Sequence, residues 1–386
     1  MHKDYLLTPG PTPLPPQVQE ALSRPIIHHR TTQYRALLKR VLQNLQTAMQ
    51  TKESVILFTS SGTGAMEAAC CNLLSPGERA IVILGGKFAE RWQHLAQAFG
   101  ASVTTVPVAY GEAVDPEQVR QALKAHPDAK VVFSTLCETS TGVVHDLAAI
   151  GAIVRASPAV LVTDAISGLL ADACKTDAWG LDVVVTGSQK GLMLPPGLAF
   201  LSVSSKAWSR VEQAKSPRFY FDLRLYRKAL EDDDTPFTSS VSLVVALDEA
   251  LTLLLEDGVE RVLQRVALMA QATRAGVEAM GLSLFAKRPS NAVTAVSVPN
   301  GVDGKKLTTH MQDRYHVTIA GGQGEMAGKV FRIAHMGAIA PFDLLVALSA
   351  VELSLLELGW PLSPGEGLKA AQHVIGGLAA APAGAR

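Results

Sequence analysis

The chain has 386 residues, and its 35 Lys and Arg are balanced by 35 Asp and Glu. The zero formal charge excludes a global electrostatic attraction to nucleic acid or to an anionic membrane, and 48% hydrophobic residues exclude a disordered chain. The length corresponds to two or three domains. Any anionic ligand of this neutral protein must therefore be held by local groups.

The cysteines and the N-terminal segment indicate in which compartment the protein works and whether it binds zinc. Cys70, Cys71, Cys137 and Cys174 are too few for a disulfide framework in so long a chain, and no Cys-x-x-C or Cys/His cluster indicates zinc. The N-terminal segment has no apolar signal core before Pro9, and no apolar run approaches the roughly 20 residues of a membrane helix. The sequence predicts a cytoplasmic protein with no metal, membrane or nucleic-acid partner.

The predicted elements begin with an irregular segment, residues 1–20, in which five prolines prevent a regular helix. An amphipathic helix follows at 33–50. Short apolar runs then alternate with helical stretches, which is typical of strands buried on both faces of a mostly parallel sheet. We predict an α/β domain with seven strands, at 55–58, 80–84, 102–106, 131–134, 160–163, 183–186 and 198–203.

From residue 239 the pattern changes to that of a smaller α+β domain. A long helical pattern is broken near Gly258 and is followed by shorter strands and helices. The last residues are of low complexity, which is typical of a frayed terminus. The predicted elements are helices at 241–281, 303–313 and 341–358 and strands at 292–298, 315–320 and 329–334. The predicted division is a segment 1–20 that joins the small domain or a subunit interface, a large domain 21–265, a small domain 266–375 and a disordered tail 376–386.

The first candidate for chemistry is the segment from Ser61 to Gly64, between an apolar strand and a predicted helix. Its glycines let the backbone approach a ligand, and a helix N-terminus attracts anions. The segment lacks the Gly-Lys-Ser/Thr of a P-loop and the third glycine of a dinucleotide fingerprint. It therefore indicates phosphate binding, although a Ser/Thr helix cap gives the same pattern.

Two further candidates, Asp164 and Lys190, follow separate apolar strands. Ligands of open α/β sheets bind at the carboxyl ends of the strands. A lysine placed there can be partly desolvated, which lowers its pKa and makes the amine nucleophilic. A structural ion pair between the two residues is the alternative explanation.

A phosphate cradle, a strand-end Asp and a strand-end Lys together are what pyridoxal 5'-phosphate (PLP) requires. With these residues the chain resembles the class V, fold-type I PLP-dependent aminotransferases, and within them the alanine/serine–glyoxylate (serine–pyruvate) group. The resemblance extends over roughly residues 5–360. It rests on the ordered motifs LTPGPT (7–12), SGTG (61–64), ETSTG (138–142), DA (164–165), GSQK (187–190), PPG (195–197), TPFT (235–238) and GKVFRI (328–333).

The resemblance implies a role for each matching residue. Lys190 is expected to carry the cofactor as a Schiff base, and Asp164 to pair with the ring nitrogen. The other implied ligands are Phe88 and Ile166 on the two ring faces, Thr139 at the phenolic oxygen, Ser61, Gly62, Thr63 and Gln189 at the phosphate, Thr238 and Thr235 reaching the phosphate from the other subunit, and Arg332 and Gly10 at the substrate, with Arg332 clamping its α-carboxylate. The cofactor is accordingly expected at a homodimer interface.

The implied activity is transamination of alanine or serine with a 2-oxo acid such as glyoxylate or pyruvate, by ping-pong kinetics through pyridoxamine phosphate. Aspartate and 2-aminoethylphosphonate are alternative donors, and a non-catalytic homologue that serves as a partner subunit is an alternative of another class. Aspartate would need a second cation, for which the candidates are His28, His29, Arg30, Arg35 and Lys87.

Two other enzyme classes are disfavoured. A cysteine desulfurase of this family needs a cysteine near Arg332, and the sequence has none after Cys174. A Rossmann oxidoreductase needs a Gly-x-Gly-x-x-Gly turn between a strand and a helix. The nearest match, at 322–327, precedes a strand-like run, so we interpret it as a loop.

Overall fold

The computed structural model describes residues 3–379. Strands and helices alternate over its first part, as the apolar runs predict. In chain order these elements are β1 (Tyr5–Leu6), α1 (Pro16–Leu22), α2 (Thr32–Ala48), β2 (Ser54–Phe58), α3 (Gly62–Leu73), β3 (Arg79–Leu84), α4 (Lys87–Ala98), β4 (Ser102–Pro107), α5 (Pro116–Ala125), β5 (Val131–Thr135), β6 (Cys137–Glu138), β7 (Val143–Val144), α6 (Leu147–Arg155), β8 (Val160–Asp164), α7 (Thr176–Trp179), β9 (Val183–Gly187), β10 (Ala199–Val203), α8 (Ser205–Val211) and α9 (Leu223–Leu230).

The second part is mainly helical. Its elements are α10 (Val241–Asp257), α11 (Val259–Ala279), β11 (Val293–Ser297), α12 (Gly304–Tyr315), β12 (Val317–Thr318), β13 (Ala320–Gly321), a 3-10 helix (Gly324–Met326), β14 (Val330–Ala334), α13 (Pro341–Glu357) and α14 (Glu366–Ala379). No helix within residues 3–379 combines the length and the hydropathy needed to cross a membrane.

The main sheet has seven strands in the order β2-β10-β9-β8-β5-β3-β4, and only β10 runs against the others. Each strand matches one of the seven apolar runs, so the predicted mostly parallel sheet is confirmed. Side chains on both faces of the sheet are buried, in separate clusters that contain Ile81 and Ile83 on one side and Ala80 and Val82 on the other. Burial on both faces explains why these strands are apolar throughout instead of alternating.

The second part is built on the three-stranded antiparallel sheet β11-β14-β13, on which α11 and α12 pack, and α13 and α14 pack on these helices. It has its own apolar core, which includes Leu307, Phe331 and Leu348. The N-terminal segment adds to this part, because Tyr5 and Leu6 pair in parallel with Val317 and Thr318.

Two predictions concern the ends of the chain. The first is partly wrong, and the second falls partly outside the described residues. Residues 1–20 are not wholly irregular, because α1 begins at Pro16. Proline is suited to the first position of a helix, where its fixed φ fits and no N–H bond is required. At the other end, α14 continues through residues 376–379, and the rest of the predicted tail, 380–386, lies outside the described residues.

The register of the sheet places chemically active residues together. Thr135, the last residue of β5, is opposite Asp164, the last residue of β8, and Asp164 is opposite Val185 of β9. The chain then leaves β9 and reaches Lys190 three residues later. The carboxyl ends of β8 and β9 therefore bring Asp164 and Lys190 to one edge of the sheet, where ligands bind in open α/β folds.

Candidate active site

A cavity of about 90 Å³ lies at this edge of the sheet, and we call it the Lys190 cavity. A larger cleft, of about 750 Å³, lies elsewhere against residues 3–6 and 13–16 and includes neither Asp164 nor Lys190, so size alone does not identify the site. The Lys190 cavity contains every cofactor ligand that was predicted from within one chain. Its lining residues are Ser61, Gly62, Thr63, Phe88, Arg91, Thr139, Asp164, Ile166, Ser167, Gln189 and Lys190.

The N-terminus of α3 forms one wall of this cavity. The helix begins at Gly62, three residues before the apolar stretch that starts at Ala65. The glycine-rich segment is therefore the first turn of the helix. The first N–H groups of a helix have no partner within the helix, and the Ser61 hydroxyl does not cap them. A Cβ at Gly62 would lie 2.6 Å from the tip of the Ile166 side chain, so a larger residue there would displace Ile166 from the cavity wall. The segment thus presents free donors to the cavity, and the alternative of a simple side-chain cap is wrong.

Asp164 is buried at the floor of the cavity. One carboxylate oxygen accepts a hydrogen bond of 2.8 Å from the backbone N–H of Ile166. Burial raises the pKa of Asp164 to about 7. The hydrogen bond from Ile166 has the opposite, smaller effect and lowers this pKa. The carboxyl group is therefore poised to hold or share a proton near neutral pH.

Lys190 is also buried, and its Nζ donates a hydrogen bond to the carbonyl oxygen of Pro9. Burial lowers the pKa of Lys190 to about 8, although the negative charge of Asp164 opposes this effect. Within the described residues the hydrogen bonds of the two side chains go to backbone groups, and no ion pair joins them. The alternative of a purely structural Asp164–Lys190 pair is therefore not realised.

Gly10, predicted at the substrate, lies directly against this lysine. A Cβ at Gly10 would overlap the Lys190 side chain, and the φ of Gly10 is +104°. Only glycine combines that backbone conformation with such a close approach.

One polar side chain that lines the cavity has an atom without a hydrogen-bond partner in the described part of the protein. The Gln189 side-chain oxygen is buried and has no hydrogen-bond partner. The Thr139 hydroxyl donates to the hydroxyl of Ser167 at 2.7 Å. Eight buried side-chain atoms within residues 3–379 have no partner, and of the residues that carry them Gln189 is the one that lines the Lys190 cavity, where a ligand could bind its amide.

Arg332 lies on β14, next to this cavity, and is 3% exposed. Its Nε and Nη2 donate to the carbonyl oxygen of Gly321 at 3.1 and 2.7 Å, and Nη1 donates to that of Thr139 at 2.9 Å. Burial lowers the pKa of Arg332 to about 10, so the guanidinium stays charged at neutral pH. Three of its five N–H donors are thereby used, which leaves two for a ligand.

The two threonines predicted to reach across a subunit boundary do not line the cavity of their own chain. The Thr235 hydroxyl is buried and donates to the carbonyl oxygen of Phe237 at 2.8 Å, whereas Thr238 is exposed. A role at a second chain's cofactor remains a prediction for both.

The candidate second cations are mostly engaged elsewhere. Arg30 and Arg35 bind the carboxylate of Asp234 at 2.6 and 2.9 Å, and Lys87 pairs with Glu90. His28 and His29 stack on each other, and neither lines the Lys190 cavity.

Two lining residues, Arg91 and Ser167, are absent from the sequence prediction. Arg91 Nη1 donates to the Thr63 hydroxyl at 3.1 Å, and its guanidinium lies 5.3 Å from the ring of Phe88. The available signal is helical spacing, because Arg91 follows Phe88 by three residues in α4. Ser167 has no comparable signal, since its position depends on the turn that follows β8.

The arrangement unites four chemical capacities. It has a buried amine with a lowered pKa, a carboxyl group with a raised pKa, a helix N-terminus with free N–H donors, and a charged guanidinium with two free donors. A nucleophilic amine can bind a carbonyl compound covalently, and the other groups can orient two anions around it.

Comparison with known proteins gives a family and a set of relatives. The family model described as aminotransferase class-V matches residues 4–336. The soluble hydrogenase 42 kDa subunit of Anabaena cylindrica is 42% identical over 97% of this chain and 99% of its own length. The L-aspartate–glyoxylate aminotransferase of Paracoccus denitrificans is 37% identical over 95% of both chains. Among solved structures, the pyridoxamine–pyruvate aminotransferase of Mesorhizobium loti superposes with a TM-score of 0.94, 34% identity and 98% coverage of both chains.

Proposed function

The chain belongs to the class V aminotransferases, and from this premise we propose that it uses PLP to transfer the amino group of alanine or serine to glyoxylate or pyruvate. The two named aminotransferases above use a 2-oxo acid as acceptor and differ in their amino donor. The observation that carries the proposal is the buried Lys190 amine, with its pKa lowered to about 8, in one cavity with Asp164.

The residues of the Lys190 cavity fit PLP. The free donors of the α3 N-terminus suit a phosphate, and the Gln189 amide, whose oxygen has no partner, is free to turn its NH₂ group toward the anion and donate to it. Phe88 and Ile166 supply apolar contacts for the ring, and the Thr139 hydroxyl suits the phenolic oxygen. When bound, PLP supplies a ring that takes up the electrons released at the substrate Cα.

Lys190 and Asp164 divide the proton chemistry between them. Lys190 Nζ would hold the cofactor, and the same amine in its neutral form would take the proton from the substrate Cα. Its lowered pKa makes the neutral, basic form accessible near pH 8. Asp164 holds a proton at the ring nitrogen, which a buried carboxylate with few other partners can do strongly.

Arg332 is proposed to bind the substrate α-carboxylate. Its three bonds to carbonyl oxygens fix the plane of the guanidinium and leave two donors, as a bidentate carboxylate requires. We expect Arg332→Lys to lower kcat/KM for the amino acid by roughly a hundredfold, with little change in the Kd for PLP. Steady-state kinetics and PLP titration test this, and an unchanged kcat/KM for the amino acid would refute the clamp.

The choice of a small neutral donor rests on the engagement of the candidate second cations by other groups of the protein. Within residues 3–379, Arg30, Arg35 and Lys87 are paired with carboxylates, and Arg91 donates to Thr63. An aspartate side chain would have to compete with these partners. The Paracoccus relative nonetheless makes aspartate the second candidate donor.

A half-reaction panel separates these donors. The PLP-loaded protein is mixed separately with alanine, serine, glycine, aspartate and 2-aminoethylphosphonate, and the loss of the visible absorbance is followed. The proposal predicts fast loss with alanine or serine. Fast loss with aspartate alone would overturn the donor assignment and leave the aminotransferase class intact.

We also propose that the working unit is a homodimer. Thr238 is exposed, and beside it Phe219 is 74% exposed while Tyr220 stacks on Phe237 with ring centroids 4.8 Å apart. An exposed aromatic cluster of this kind is typical of an interface. Sedimentation analysis tests the state, and a fully active monomer would contradict the proposal.

A further inference from the structure

Glu138, the last residue of β6, is a fully buried carboxylate that does not line the Lys190 cavity. One of its oxygens accepts from the backbone N–H of Phe88 at 3.4 Å and from the N–H and hydroxyl of Ser140 at 3.2 and 2.5 Å. The other oxygen accepts from the N–H of Ala89 at 3.0 Å. Because all four partners donate, the group is bound as a carboxylate, which only accepts.

The carboxylate takes the place of a missing helix cap. Helix α4 begins at Lys87, and its N-cap residue is Gly86, which has no side chain to accept the first N–H groups. A Cβ at Gly86 would overlap the Glu138 side chain, so the glycine makes room for this buried acid. A negative charge at a helix N-terminus is favourable, and more so when it is buried and hydrogen-bonded.

The capped turn is the one that presents Phe88 to the cavity. Phe88 is the second residue of α4, and its backbone N–H is one of the groups that Glu138 accepts. The residue after Glu138 is Thr139, whose carbonyl oxygen accepts from Arg332 and whose hydroxyl lines the cavity. One buried carboxylate thus fixes the backbone on both sides of the site.

We infer that Glu138 is a positioning residue of this enzyme: by capping α4 from β6 it holds the ring of Phe88 in place against the cofactor. The inference rests on the proposed function, because it assigns the Phe88 ring to PLP. Glu138 does not touch the cavity and takes no proton in the reaction. Its effect on the cofactor is transmitted through Phe88.

A double-mutant cycle tests this coupling. The Kd for PLP is measured by absorbance titration in the wild-type protein, Glu138→Gln, Phe88→Leu and the double variant. The glutamine keeps the shape of the side chain, but its NH₂ group cannot accept a hydrogen bond as the second carboxylate oxygen does. A hydrogen bond to a charged group is therefore lost, and the Kd should rise about tenfold. In the Phe88→Leu background the same change should raise the Kd less than about twofold, because the ring it positions is gone.

Asp115→Ala is the matched control. Asp115 caps α5 by accepting from the N–H of Glu117, and it is not among the residues that line the Lys190 cavity. Loss of this cap should lower the thermal midpoint and leave the Kd for PLP unchanged. If Glu138→Gln does not fold, Ser140→Ala replaces it, and the rise in Kd should have the same sign and depend on Phe88 in the same way.

The outcomes separate the two proposals. An equal rise in Kd in both backgrounds, or none in either, would overturn the role of Glu138 while the wild-type protein still binds PLP. A wild-type protein that binds no PLP would overturn the proposed function itself.

Discussion

Two buried polar clusters in this molecule differ in how completely their central carboxylates are hydrogen-bonded. In the Lys190 cavity Asp164 receives one hydrogen bond, and the Gln189 oxygen receives none. The second cluster, which we call the Asp172 cluster, consists of Asp172, Arg274, Ser290, Asn291 and His335. Here each oxygen of Asp172 accepts one hydrogen bond, from Ser290 and from the N–H of Asn291.

The rest of the Asp172 cluster is also hydrogen-bonded, except for the Nε of Arg274, which is buried without a partner among the described residues. Arg274 donates to the carbonyl oxygen of Ser290 and the side-chain oxygen of Asn291 at 2.8 and 3.0 Å. The His335 ring contacts the carbonyl oxygen of Asn291 at 2.9 Å. Burial raises the pKa of Asp172 and lowers that of His335 to about 3. Shifted pKa values and a buried atom without a partner occur in both clusters, so the features that distinguish the candidate site are the cavity that Asp164 and Lys190 line and the single hydrogen bond of Asp164.

The largest expected effect is that of Asp164→Asn on catalysis. The asparagine keeps an acceptor for the Ile166 N–H but cannot carry the charge that stabilises a protonated ring nitrogen. We expect kcat to fall on the order of a hundred- to a thousandfold. The thermal midpoint of the cofactor-free protein should not fall, since burial of that charge is unfavourable. Loss of stability with normal turnover would place Asp164 with the structural cluster instead.

The Asp172→Asn variant should behave in the opposite way. The amide cannot accept at both positions, so one buried donor of the Asp172 cluster loses its partner, at a cost of about 2 kcal/mol. Urea denaturation should give a lower midpoint, and the Kd for PLP and the turnover per loaded site should stay within about twofold of wild type. A large change in turnover at normal stability would show that Asp172 acts in catalysis and that its cluster is not purely structural.

A smaller effect is expected from pH. The pKa of Lys190 is lowered to about 8 from its usual 10.5. The fraction of this side chain that is a neutral amine therefore rises from about one tenth at pH 7 to about nine tenths at pH 9. The rate at which the cofactor-free protein attaches PLP should therefore rise about tenfold over this range. Stopped-flow absorbance measures it. A rate that keeps rising to pH 10.5 would indicate an unperturbed lysine.

Much of the fold is predictable from sequence because the main sheet is buried on both faces. Its seven strands appear as separate apolar runs, and the observed bounds differ from the predicted ones by one or two residues at most. Helices α8 and α9 lack such runs, and α14 lies partly in a segment of low complexity, so the pattern does not reveal them. The two-residue strands β6, β7, β12 and β13 are set by tertiary pairing, which local patterns do not encode.

For the site, sequence motifs locate residues that lie at strand ends and in the turn before α3. They do not locate Arg91, and they include Glu138 in the ETSTG motif without giving it a role, because the contacts of both residues depend on how α4 packs against β5 and β6. A buried acid is also ambiguous in sequence, since its partners are backbone N–H groups that every residue type provides.

The central claim is that Lys190 is the residue that binds PLP. The most direct measurement is to add PLP to the purified protein, reduce it with borohydride, and map the modified residue by mass spectrometry. We expect a visible absorption band before reduction and a single modified lysine, Lys190, with both signals absent in Lys190→Ala. A colourless protein without an adduct, or a specific adduct on another lysine, would contradict it.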